Sequence, residues 1–389
     1  MNLADIQTQL AEEGLDGWLF FDHHRRDPLA YRVLGFQPVS VMSRRWYYLI
    51  PAQGDPRGLV HRIEAFMLDA LPGRKQAYSS WAEQMEGLRQ MLAGCRRVAM
   101  QYSPNCALPI VSMVDAGTVE LVRAAGVEVA SSANLIQYFE ARWTQANLDR
   151  HLEAARKVDA IRRSAFQMVA DYLRDGRRVT EFDVQQFFQR SFAQEGLVTS
   201  DGPTIAVNEN SANPHYEPTA EVHREIRRGD CLLMDVWAKV DSPDGVYYDI
   251  TWTGYCGSEP PAAVQNVFEI VRQARDSAVA LAQEAVAAGR PLCGFEVDDA
   301  ARAVIHERGF DRYFTHRTGH SIGTEVHGAG ANMDNLETHD ERRIIPWTCF
   351  SVEPGVYLPE FGIRSEVDVF VGPDAARVTG EIQERLVTL

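Results

Sequence analysis

No Cys-x-x-Cys pair and no His-Glu-x-x-His string occurs anywhere in the 389 residues. The first absence argues against a zinc ribbon or a thioredoxin-like redox pair. The second argues against a zinc-protease helix. The six cysteines are scattered, which suits buried free thiols in a reducing cytosol. Basic residues are few: 39 Lys and Arg stand against 54 Asp and Glu, for a formal charge of −15 and no long basic block. Phosphate binding needs a concentrated basic surface, so no nucleic-acid partner is expected. No run approaches the ~20 apolar residues that span a bilayer, so no membrane role is expected either. The opening MNLADIQTQLAEEGLDGW lacks the basic and apolar regions of a signal peptide and suits an amphipathic helix. A cytoplasmic protein is therefore expected. No sequence repeat of fixed period appears.

What is present is a folded-protein mix, 45% hydrophobic and 24% charged, long enough for two domains. The first part alternates strand-like and helix-like segments. DGWLFF (Asp16–Phe21), WYYLI (Trp46–Ile50) and RRVAM (Arg96–Met100) have strand character; Ala82–Leu92 and Val114–Gly126 have helix character. Strands alternating with helices predict an α/β unit over residues 1–147. Apolar positions from Leu148 to Tyr172 then recur at three and four, predicting a long helix with Asn147 as its N-cap and Gly176 as its stop. A second helix is predicted from Thr180, with Asp183 completing its cap. Helices are also expected within Pro261–Ala288 and from about Val297. Residues 148–389 form the second predicted domain, in which strand pairs alternate with long helices. The whole is an α+β chain.

One fourteen-residue stretch, THRTGHSIGTEVHG (Thr315–Gly328), holds His316, His320 and His327. Their spacing alone assigns no task. The missing partners are acids placed where acids are costly. Asp235 interrupts the apolar run LLMDVW, and Asp249 sits in YYDIT across the DSPDG turn. In a tight hairpin these two come close to facing each other. Glu353 in SVEPGV and Glu366 in IRSEVD repeat the arrangement around the Leu358–Gly362 turn. An unpaired buried carboxylate costs several kcal/mol, so four strand acids argue for cations. Four carboxylates and one imidazole are too many for a single catalytic zinc. They suit two divalent ions with bridging carboxylates, Mn2+ above Co2+, Fe2+ or Zn2+ because the donors are mostly oxygen. Such a site hydrolyses an amide or ester.

Asp235, Asp249, His320, Glu353 and Glu366, in that order, resemble the five metal ligands of the pita-bread metallopeptidases, which include methionine aminopeptidase, aminopeptidase P and prolidase. NPHY (Asn213–Tyr216), DITWT, HRTGHSIGTEVHG, SVEPGVY and IRSEVD follow the family's order and resemble its proline-specific branch. The first part resembles the extra N-terminal domain of creatinase, prolidase and aminopeptidase P, with LAYRVLGF (Leu29–Phe36) matching a segment of it. The resemblance implies a pita-bread domain over 148–389, a homodimer, and a small peptide substrate with proline in second place. It implies that Glu353 both ligates a metal and carries a proton, and that His215 and His327 donate to the substrate carbonyl. His316, Arg364 and Tyr357 match pocket positions. Arg44 and Arg45, before the strand WYYLI, are candidates for gripping a free C-terminal carboxylate, which favours a dipeptidase over an aminopeptidase. Strand parity independently turns Arg364, Glu366 and Asp368 to one face.

The chain departs from the family pattern at Trp237, at Trp252 in place of an arginine, and at His327-Gly328 in place of the frequent His-Glu. Trp237 and Trp252 are expected to pack rather than touch substrate, and His223 and His339 to be solvated. Besides aminopeptidase action on longer Xaa-Pro peptides, the competing functions are a metal-free creatinase-like amidinohydrolase, a non-catalytic binding protein, and lyase chemistry on the same scaffold. The filled set of five ligands weighs against the first two of these.

Overall fold

A computed structural model, describing residues 1–37 and 42–389, shows an α+β chain. It divides between Glu140 and Ala141, just ahead of the helix that the sequence marks as the start of its second part.

The N-terminal unit is built on a six-stranded mixed sheet. Its strands are β1 (Gly17–Asp22), β2 (Trp46–Pro51), β3 (Arg57–His61), β4 (Arg74–Tyr78), β5 (Arg97–Met100) and β6 (Glu128–Ser131), in the order β4-β3-β2-β1-β5-β6. The central strands β1 and β2 are buried at every position, which is why they are continuous apolar runs rather than alternating ones. Helices α1 (Leu3–Glu12), α2 (Pro28–Leu34), α3 (Trp81–Leu92), α4 (Ala116–Ala124) and the short α5 (Ala133–Ile136) complete this unit. A full capping box at Ser80 and Glu83 starts α3, and Asp115 caps α4.

The second unit begins with Trp143, whose indole donates to the Ile322 carbonyl at 3.2 Å and stacks on Phe370. Helix α6 (Gln145–Arg174) follows. Its cap is Thr144, not Asn147: the two form a reciprocal box, Asn147 N–H to Thr144 Oγ1 and Thr144 N–H to Asn147 Oδ1. Asn147 was the expected cap because the apolar period begins at Leu148, but the first turn of the helix is polar and invisible to that period. Helix α7 (Glu181–Gln194) does start with the predicted Thr180/Asp183 box.

The rest of this unit repeats one scheme. Strands β7 (Leu197–Val198) and β8 (Thr204–Val207) border the long hairpin β9 (Cys231–Val240) and β10 (Tyr248–Tyr255), and α6 and α7 share a core with this sheet. Helices α8 (Ala262–Ala287) and α9 (Gly294–Glu307) then share a second core with β12 (Thr348–Val352), β13 (Gly355–Tyr357), β14 (Gly362–Arg364), β15 (Val367–Val371) and β16 (Ala376–Thr379), while β11 (Ser321–Ile322) pairs with β12 and packs Ile322 with Trp143 and Phe370. A last strand, β17 (Val387–Thr388), pairs with β10. Each helix pair thus covers one hairpin. The uncovered faces carry the acids. Among the described residues no helix is long and apolar enough to cross a membrane, and all six cysteines are free thiols.

Candidate metal centre and active-site cavity

Hairpin register fixes the four acids. In β9–β10, Asp235 pairs with Thr251 and Asp249 with Trp237. Asp235 and Asp249 are therefore not directly opposite, as the turn length suggests, but two positions apart on one face. The connection from Val240 to Tyr248 takes up the difference. In the second hairpin Val352 pairs with Val367, and Gly355 with Arg364. The register is the same on both sides of the gap, so Glu353 and Glu366 stand opposite each other where the ladder is interrupted.

His320 reaches the same place from the segment before β11. Its N–H donates to Ser351 Oγ at 3.0 Å, and Ser351 N–H donates to its carbonyl at 2.8 Å. Gly319 makes this approach possible, because a Cβ there would overlap the Ser351 carbonyl oxygen. The His320 Nε2 atom lies 3.3 Å from Glu353 Oε1 and 3.7 Å from Asp249 Oδ2. Asp249, His320 and Glu366 are all buried, and each offers a ligand atom within 4.8 Å of the others. Asp235 and Glu353 line the cavity beside them.

The electrostatics are those of a site built for cations. Asp249 Oδ1 and Glu366 Oε1 are buried with no hydrogen-bond partner among the described residues. Burial, then the neighbouring acids, push both carboxyls well above the carboxylate range. Glu353 is pushed up to about 7 by burial, against the opposing charge of Arg364. His320 is driven well below its usual value by burial, with His327 and Arg317 adding to the effect. It is therefore a neutral imidazole, the form that binds metal. Orphaned buried oxygens around a neutral histidine fit divalent cations and little else.

The surrounding side chains are tightly committed. Arg364 donates to Thr251 Oγ1 at 3.0 Å and to the Tyr357 hydroxyl at 2.9 Å, and pairs with Asp235. His316 Nδ1 lies 2.7 Å from the Arg317 carbonyl, which can only accept, so this nitrogen carries the proton. Its Nε2 therefore accepts from the Tyr357 hydroxyl at 2.6 Å. Burial, then Arg364, take His316 down to about 3. His316 and Tyr357 thus form a neutral relay that holds Arg364 in place. Thr251 Oγ1 also donates to Glu366 at 2.7 Å, and Asp368 accepts the Asp249 N–H at 2.9 Å.

Nearly all the sequence candidates meet in or beside one cavity of about 470 Å³. Asp235, Asp249, His320, Glu353, Glu366, His215, His327, His316 and Arg364 line it. Tyr357 stands behind the lining, in contact with His316 and Arg364. His327 packs edge-on against His320, ring centres 4.4 Å apart, and His215 is exposed on the cavity wall. Trp237 packs, as expected, against the cluster that holds Trp143 and Tyr247, and it also lines the cavity, on the Asp235 face of β9. Trp252 packs as well, beneath the Arg162 guanidinium at 3.4 Å. Arg44 and Arg45 belong to the N-terminal unit and are exposed before β2, beside a separate cavity of that unit. Sequence reasoning passed over Arg317, Thr251 and Ser351. A cation inside a histidine string was the available cue for the first; two hydroxyls in strands gave none.

Comparison with known proteins adds to this geometry. The model of metallopeptidase family M24 matches residues 150–373. A probable dipeptidase PepE of Mycobacterium tuberculosis is 27% identical over 346 residues, covering 88% of this chain and 84% of that protein. An Xaa-Pro dipeptidase of Lactobacillus delbrueckii subsp. lactis is 31% identical over 205 residues, covering 52% of this chain and 50% of that protein. Among solved structures, dipeptidase PepE of Mycobacterium ulcerans superposes with a TM-score of 0.70 at 22% identity, over 99% of this chain and 96% of that one. A prolidase from Thermococcus sibiricus gives 0.63 at 21% identity, over 100% and 98%. These likenesses identify the second unit's fold as the pita-bread fold, preceded by a smaller N-terminal domain.

Proposed function

This chain belongs to metallopeptidase family M24, and from that premise we propose that it hydrolyses the bond before proline in Xaa-Pro dipeptides, using two divalent ions. The observation that carries the proposal is the set of buried carboxylate oxygens without partners around neutral His320. Asp235, Asp249, His320, Glu353 and Glu366 would hold the ions. Oxygen-rich donors favour Mn2+. Bound there, such ions make a water acidic enough to serve as nucleophile and polarise a carbonyl.

The protein's own groups do the rest. Glu353, on the cavity wall 3.3 Å from His320 Nε2, is the candidate to take a proton from the nucleophile and return it to the leaving nitrogen. His327 and His215 donate to the substrate carbonyl as charge grows on its oxygen. Arg364, fixed by Tyr357 and His316, pairs with Asp235 and orients it. Arg44 and Arg45 are the N-terminal unit's candidates for the substrate's carboxylate; Arg44 gives its backbone N–H to Glu64, and neither guanidinium forms an ion pair among the described residues. The dipeptidase preference draws on the name of the relative matched over most of the chain, and the proline preference on the Lactobacillus relative. The protein would act as a cytoplasmic homodimer.

The test is hydrolysis of Leu-Pro, Leu-Gly and Leu-Pro-Gly with and without added Mn2+. Leu-Pro should be cleaved at least tenfold faster than the others, and only with metal. Faster cleavage of Leu-Pro-Gly would make the enzyme an aminopeptidase. Metal-independent cleavage, or none, would defeat the proposal.

A further inference from the structure

We propose that Arg317 is the carboxylate anchor of this cavity, binding the free C-terminus of a two-residue substrate and so measuring its length. The inference rests on the peptidase reading above and adds a residue that the sequence resemblance did not supply.

Arg317 lies between His316 and Thr318 in the HRTGH string and lines the cavity that holds the candidate metal ligands. It is half-buried. Its backbone is pinned on every side. Its N–H donates to Glu337 at 3.1 Å, and its carbonyl accepts from His316. The preceding carbonyl of His316 accepts from Arg302. The following residue, Thr318, gives both its N–H and its hydroxyl to Asp298, at 2.9 and 2.5 Å. A segment fixed this way presents its side chain with little freedom left to lose on binding.

The guanidinium itself is unused. Among the described residues it makes no hydrogen bond, and no carboxylate lies within ion-pair distance of it. The neighbouring cations differ. Arg364 is neutralised by Asp235, and Arg302 by Asp298 at 2.6 Å. Among the described residues Arg317 is thus the cavity-wall guanidinium without an ion-pair partner; Glu337, which also lines the cavity, is engaged by the Arg317 backbone N–H and not by its side chain. A half-buried guanidinium of this kind gains most from an anion that arrives with the ligand, above all a carboxylate that matches its fork.

Its position selects which anion. It lines the same cavity as His320 and Glu353, three residues before His320 in the chain, so it stands near the reacting bond. In a dipeptide the terminal carboxylate lies within roughly 4–5 Å of the scissile carbonyl carbon, by ordinary backbone dimensions. A longer peptide places a neutral amide at that point and leaves the cation unpaired. Discrimination between dipeptide and tripeptide follows from that loss. Arg317 is carried by the same unit as the five ligands, whereas Arg44 and Arg45 are not.

The experiment compares Leu-Pro with its C-terminal amide on the full-length protein, in wild type, Arg317→Ala and Arg317→Lys. Hydrolysis is followed with Mn2+, and equilibrium binding by calorimetry on chelator-treated protein. Wild type should favour the free acid in both measurements. In Arg317→Ala, KM for Leu-Pro should rise roughly 10- to 100-fold with kcat within about threefold, and the acid-to-amide binding ratio should fall toward one. The lysine variant should recover part of both. If Arg317→Ala does not fold, Arg317→Gln takes its place. A binding ratio that persists without the arginine overturns the proposal. So does a ratio that survives in Arg317→Ala but collapses in Arg44→Ala or Arg45→Ala. A wild type that binds the acid selectively yet cleaves neither compound would defeat the peptidase reading and leave the anchor standing.

Discussion

Two protons can stand where the proposed metal would bind. Asp249 and Glu366 are so deeply buried, and so close to other acids, that without metal their carboxyls stay protonated well above the usual range. Glu353 behaves likewise to about 7. A carboxyl whose folded pKa is raised contributes stability that is fully present below its unfolded value, near 4.5 for Glu353, and is lost as pH rises through about 7. Metal uptake must displace these protons, so it strengthens with pH. The melting temperature should therefore rise more on adding Mn2+ at pH 8 than at pH 6. Titration at pH 6.5 in buffers of different ionisation enthalpy should show release of at least one proton. Equal stabilisation at both pH values, with no proton released, would contradict this account of the cluster.

At the scale of the element, the site depends on where strands begin, stop and approach. The acids were legible because a carboxylate inside an apolar strand is conspicuous: LLMDVW and SVEPGV each contain one residue that does not belong to a core. Their pairing was less legible. Asp235 and Asp249 are offset by two positions, since register depends on the connection between strands, whose geometry the local sequence does not determine. The polar strands β3 and β4 escaped notice for a related reason. RKQAY in β4 is mostly exposed at the sheet edge and has no apolar alternation to find. Gly319 is the element-scale residue to change. In Gly319→Ala the new methyl collides with the Ser351 carbonyl, and His320 with its strand must move. Urea unfolding should show a loss of roughly 1–3 kcal/mol, and metal binding should weaken far more than in a control change at exposed Gly289. Unchanged stability and unchanged metal affinity would show that the close approach is dispensable.

At the scale of the molecule, the two units differ in what they hold. All five candidate ligands, both helix pairs and their cores belong to residues 141–389. A fragment of those residues should fold and melt at a higher temperature when Mn2+ is added. A fragment that is unfolded by circular dichroism, or indifferent to the ion, would show that the N-terminal unit is needed for the site to form. The five ligands come from five separate strands or strand ends, and Asp235 precedes Glu366 by 131 positions in the chain. The full set of ligands cannot assemble until the second hairpin, which carries Glu353 and Glu366, has joined the first, which carries Asp235 and Asp249. Contacts of such long range form late. The chain must then draw four acids together before any ion is there to reconcile them. Their readiness to hold protons makes this possible: protons drawn from water and buffer serve as provisional occupants during biogenesis, and the metal need only replace them once the fold is closed.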